Sequence, residues 1–109
     1  MNFDNELIKL YKIKFDISIW KKEKLVWLNN FIIPKNLQHM HIGTKIMEQF
    51  CQWLDINQYD SKLLVSTCYG TPEDILIAFY QKFGYIIEKS KTKNLYMIRR
   101  YVNANRKFV

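Results

Sequence analysis

The sequence predicts an α/β domain built on a mixed, mostly antiparallel central sheet with two main helices. Three observations lead there: a stretch near the N-terminus that alternates strictly between apolar and polar residues, two later runs with helical period, and a short unbroken apolar run between those helices.

The elements follow in order. "KIKFDISIW", residues 12–20, puts Ile13, Phe15, Ile17 and Ile19 on one face and Lys12, Lys14, Asp16 and Ser18 on the other, which is a half-buried strand. "KKEK" is a polar turn. "LVWLNNFIIP" is a second strand antiparallel to the first, and Pro34 stops it because proline cannot donate to a ladder. From Ile42 to about Ile56, Ile42, Ile46, Met47, Phe50, Trp53 and Leu54 share one side of a helix. Gly43 lies on that side, where a missing side chain lets the helix start pack close to the sheet.

"KLLVST", residues 62–67, is an unbroken apolar run expected as a central strand covered on both faces, and the helical crossover makes it parallel to the second strand. "GTPEDILIAFYQKFGY" is the second helix. Thr71 fits its N-cap, Pro72 its first position, Asp74 the capping-box role and Gly84 the left-handed residue past its end. Its inner face is Ile75, Leu76, Phe79, Tyr80 and Phe83. "YIIEK" and "NLYMIRRY" close the chain as a hairpin around "SKTK".

One domain spanning residues 1–109 is expected: with 49% hydrophobic and 16% aromatic residues and little proline or glycine, the chain supports one core and is far from a disordered composition. The longest apolar runs are far too short to span a bilayer and the N-terminus lacks the order of a signal peptide, so a cytoplasmic protein is expected, with no membrane partner. Cys51 and Cys68 form no disulfide framework or zinc spacing and are expected as reduced thiols. His39 and His41 have metal-like spacing but no third ligand nearby in sequence, so no metal site is assigned. The net charge of +7 attracts anions generally, a phosphate-bearing cofactor or an acidic protein face among them. Nucleic acid has no motif beneath it beyond that charge. Trp20, Trp27 and Trp53 are expected to serve in packing.

Taken together, "FIIP", "QHMHIGTKIM", "LLVST", "AFYQKFGY" and "YMIRR" resemble the GNAT superfamily of acetyl-CoA-dependent N-acyltransferases over roughly residues 12–101. The family's acyl-CoA loop runs Gln or Arg, two residues, Gly, one residue, then Gly or Ala. Here that register falls on Gln38, His39, Met40, His41, Ile42 and Gly43, and a second block falls on Tyr80, Gly84 and Tyr85. The resemblance implies an acetyl-CoA site formed by the strand end Phe31, Ile32 and Ile33 and by the loop and helix start Gln38, His39, Met40, His41, Ile42, Gly43 and Thr44. The unpaired amides and partial positive charge of a helix start suit a pyrophosphate. His41 stands where the family has glycine, which a side chain tolerates only if φ stays negative.

The reaction implied is aminolysis of a thioester, with strand-end amides near Ile33 steadying the oxyanion and Tyr80 protonating the departing thiolate. The strand before the loop offers Trp27, Asn29 and Asn30, none able to take a proton, so no general base is assigned. Only about ten residues precede the first strand, where relatives carry a strand and two helices that wall the acceptor pocket. That opening suits a bulky acceptor, a lysine or N-terminus of a protein. A homodimer is one oligomeric option. A second reading uses the same fold without turnover, as a protein-interaction module such as a viral inhibitor.

Overall fold

The alternating stretch forms β1, Lys14–Trp20, and the run after the polar turn forms β2, Leu25–Ile32, paired antiparallel to it. The computed structural model describes residues 3–67, 70–88 and 93–103, and only the backbone of His39. Cys68 and most of the "SKTK" turn lie outside the described residues. Before β1 comes a helix not expected from the sequence, α1, Glu6–Leu10, whose first amides at Leu7 and Ile8 donate to the Asn5 side chain. Lys12 takes a positive φ of 52° in the bend that follows, so the strand starts two residues later than its pattern suggested.

After β2 the chain makes a 3-10 helix, Lys35–Met40, and then α2, Ile42–Ile56, with the bounds and buried face its periodicity predicts. β3, Asp60–Leu64, runs parallel to β2. α3 spans Glu73–Gln81, and the hairpin β4, Ile86–Glu88, and β5, Tyr96–Arg99, completes a sheet in the order β1-β2-β3-β5-β4. β5 runs antiparallel to both β3 and β4, so the two helical crossovers run between strands of one direction.

Val26, Leu28, Leu63 and Met97 come from one face of this sheet and pack in a single cluster with Met47, Phe50 and Leu54 of α2 and Tyr80 of α3. Both long helices therefore cover the same face, as two right-handed crossovers moving the same way along a sheet require. The opposite face carries no helix among the described residues. It presents Trp20 and Trp27 with ring centroids 5.9 Å apart, Tyr96 at 6.0 Å from Trp27, and the Lys62–Glu88 ion pair. β3 is consequently covered on one side only, and Leu64 is 45% exposed; the apolar run had suggested cover on both. Of the three tryptophans, Trp53 stacks on Phe50 and Tyr59 against the core, whereas Trp20 is 48% exposed on the open face.

The start of α3 departs from its expected caps. Pro72 itself is the N-cap, no side chain closes that end, and Thr71 lies outside the helix. Its far end follows expectation: Gly84 takes φ +94°, and the amides of Gly84 and Tyr85 donate to Gln81 O and Tyr80 O, the paired bonds of a left-handed helix stop. That stop delivers Tyr85 into the core, where its hydroxyl donates to Ser61 Oγ at 2.7 Å. Cys51 is buried, and burial pushes its thiol up to about 11, which keeps it protonated. Among the described residues, no helix is long and apolar enough to cross a membrane.

Candidate active site

β2 and β3 pair only from Leu25–Asp60 to Leu28–Leu63, and beyond that point they part. The parting coincides with a bulge. Asp16 faces Asn30 and Ile17 faces Leu28, so Asn29 is the extra residue on β2. Past the bulge, the β3-facing backbone groups of β2 have no strand opposite them, which is how amides come free to face a ligand.

A cavity of about 250 Å³ occupies the parting and reaches through the sheet. From the helix-covered side it is lined by Leu28, Leu63, Leu76 and Tyr80, from the strand end by Phe31, Ile32 and Ile33, and toward the open face by Asn29, Asn30 and Leu64. A second cavity of about 320 Å³ adjoins it on the helix side, between the start of α2 and the start of α3. Phe31, Ile33, Gln38, Thr71, Leu76 and Tyr80 line both, so the two form one channel.

The loop joining β2 to α2 is fixed at its base, where the Gln38 side-chain amide donates to Ile33 O at 3.0 Å. His41 ends the 3-10 helix and opens α2, with φ 57° and ψ 23°. The expectation of a negative φ here is therefore overturned: the backbone makes the left-handed turn that favours glycine, and an exposed histidine accepts it. Histidine is among the side chains that enter this region more readily than most, at a cost of about 1–2 kcal/mol relative to a right-handed residue. Replacing it should show that cost. His41→Gly is expected to raise stability by about 0.5–1 kcal/mol, the strain relieved less the extra freedom glycine brings to the unfolded chain, read as a higher urea midpoint.

The turn leaves the amides of Ile42, Gly43 and Thr44 without carbonyls in their own helix. The first bond closing α2 is from Lys45 N–H to His41 O at 3.2 Å, and no side chain caps this end. His41, Gly43 and Thr44 line the helix-side cavity. At Gly43 an added methyl would stand 3.6 Å from Ile33 and Phe79, an ordinary contact, so packing alone does not demand glycine there. Met40 and Ile42 line neither cavity: Met40 is exposed, and Ile42 is buried beside Ile13 and Ile46, where it anchors the start of α2. Of the inner-face residues expected on α3, Ile75 is 55% exposed and faces the second cavity.

Tyr80 is 9% exposed, in edge contact with Phe79 and Tyr85, and lines both cavities. Its hydroxyl has no hydrogen-bond partner among the described residues. Burial pushes its pKa up to about 12, so the phenol keeps its proton at neutral pH and suits an acid, not a base. Sequence reasoning had treated Thr71 only as helix punctuation and had passed over Leu76 and the polar wall made by Asn29 and Asn30 as site residues. No local pattern marks them, because a cavity wall is assembled from three separate elements.

No family model matches the sequence, and no curated protein is similar to it by sequence. Solved structures are similar in fold. Ard1 from Thermoplasma volcanium matches with a TM-score of 0.62 at 20% identity over 82% of this chain and 62% of its own. The PaiA N-acetyltransferase from Thermoplasma acidophilum, solved with coenzyme A, matches with 0.63 at 16% identity over 80% of this chain and 52% of its own. The Arabidopsis thaliana Naa50 protein, solved with the bisubstrate analogue CoA-Ac-MVNAL, matches with 0.53 at 16% identity over 79% and 61%. This chain thus spans between about half and three-fifths of the length of these structures. Its fold is that of the GNAT N-acyltransferases.

Proposed function

We infer from the GNAT acyltransferase fold that this chain is an acetyl-CoA-dependent N-acetyltransferase, taking a lysine or N-terminal amine of a protein as acceptor. The observation that carries the reading is the channel at the parting of β2 and β3, which has a helix start with open amides at one end and a buried, protonated Tyr80 at the point where its two parts meet. In this reading the amides of Ile42, Gly43 and Thr44 hold the pyrophosphate beside Gln38, His39, Met40 and His41, and the pantetheine arm lies against Phe31, Ile32 and Ile33. The thioester then reaches the bulge at Asn29, where unpaired strand amides steady the oxyanion and Tyr80 protonates the leaving sulfur. The helix-free face beside the bulge leaves room for a macromolecular acceptor.

Titration calorimetry with acetyl-CoA tests the donor half. Micromolar binding is expected, and no heat at several hundred micromolar cofactor would remove the enzyme assignment. The alternative of an interaction module without turnover draws on one observation, the half-exposed Trp20 on the open sheet face.

A further inference from the structure

Among the described residues, the part of the channel that crosses the sheet is lined by an acid and no proton acceptor; His41 lines only the helix-side part, at the helix start. Tyr80 stays protonated, Asn29 and Asn30 are neutral amides, and aminolysis of a thioester must dispose of a proton, because the acceptor arrives as an ammonium. One carboxylate is bonded to the lining from the neighbouring strand. Asn30 Nδ2 donates to Asp16 Oδ2 at 3.1 Å, while Asn29 Nδ2 donates to Ser18 Oγ at 2.7 Å. Both contacts sit at the bulge that opens the cavity, and Asp16 and Asn30 are register partners, so they lie on the same, helix-free face. Asp4, Asp55, Asp60 and Glu88 are each bound to a lysine or arginine, whereas the group that holds Asp16 is a neutral amide. One oxygen of an exposed carboxylate is therefore held in place, and the other is open to a ligand.

We propose that Asp16 is the catalytic proton acceptor for the acceptor amine, supplied by the strand beside the cavity and aimed by Asn30. This rests on the acetyltransferase reading. The thioester enters from the helix side, where Tyr80 lies, and the amine enters through the open face, where Asp16 lies. The ammonium gives one proton to Asp16, which passes it to solvent. The neutral nitrogen attacks the carbonyl, the C–N bond forms and the C–S bond breaks. Tyr80 gives its proton to sulfur and is recharged by the second proton that nitrogen loses, so ammonium and thioester become amide, thiol and one released proton. In a chain of net charge +7, a carboxylate on this face of the sheet also offsets the repulsion a cationic acceptor meets. The charged neighbour on the same face is Lys14, two residues back on β1, and β2 opposite contributes only the neutral Asn30.

The test is a pH profile of kcat/KM, with acetyl-CoA and two probe peptides, one with a free α-amino group and one with a lysine. Asp16→Asn is expected to lose about 10²-fold at pH 7. The deficit should shrink as the pH rises toward about 10, where the amine sheds its proton to bulk water unaided. Asp16→Glu should recover part of the rate, and acetyl-CoA affinity by calorimetry should be unchanged in both variants. A wild-type rate for Asp16→Asn at pH 7, or an equal loss at every pH, overturns the assignment of Asp16 while leaving the transferase reading intact. A wild-type protein that binds no acetyl-CoA removes that reading and this one together, and binding without turnover of either probe overturns the assignment.

Discussion

Tyr80→Phe is expected to lower turnover of acetyl-CoA by about 10³-fold, within the range a positioned general acid supplies, with little change in cofactor affinity or in stability. The stability half follows from burial. The ring makes its contacts with Phe79, Tyr85 and the core cluster, and phenylalanine keeps them. The hydroxyl has no hydrogen-bond partner among the described residues, so its removal orphans nothing. The turnover half follows from protonation. A phenol pushed up to about 12 holds its proton through the neutral range, and in the proposed reaction it releases that proton only as negative charge develops on the departing sulfur. Single-turnover rates of the two proteins, with calorimetry on each, separate the effects. Equal rates would move the acid elsewhere. A binding module, by contrast, should lose nothing.

Arg99→Ala is expected to cost about 3–5 kcal/mol, the loss typical when one partner of a buried ion pair is removed, and so a large share of the stability of a domain this size. Arg99 sits on β5 with its guanidinium bonded in parallel to both oxygens of Asp55 on α2, at 2.8 and 3.1 Å, and its Nε donates to Phe83 O at 2.7 Å just past α3. Their side chains are 7% and 14% exposed, so little water can take either partner's place. One side chain thus ties the sheet to both helices, and the same Asp55 carboxylate accepts the amide of Val102. Urea unfolding measures the loss. The double variant Arg99→Met with Asp55→Leu should be less destabilised than Arg99→Ala alone, because no charge is then left buried without the other. A single-variant loss under 1 kcal/mol would contradict the burial on which the argument rests.

Where a feature depends on residues close in sequence, the chain declares it. The bounds of α2 were legible because six apolar residues return every three or four positions and Asn57 and Gln58 follow, and the left-handed stop at Gly84 was legible because only glycine adopts that φ without strain. β1 and β2, their antiparallel pairing and the parallel return to β3 follow from alternation, a short turn and a helical crossover. Local pattern failed where two conformations compete at similar cost. The helix α1 depends on the Asn5 cap and on packing of Leu7 and Ile8 beside Ile42, and α3 began at a proline cap where threonine was expected.

The site divides the same way. The sequence by itself determined the fold class, the helix start that can face a phosphate, and Tyr80 on the helix above the sheet, since each is a matter of period, cap or spacing within one segment. Only the tertiary structure decided that His41 turns left-handed, that both helices crowd one face and leave the other without a helix among the described residues, and that Asn30 holds Asp16 beside the parting of β2 and β3. The reason is physical: a bulge and a strand separation are set by how three strands twist against one another, and the residues brought together there stand from 14 to 52 positions apart in the chain, which no local pattern encodes.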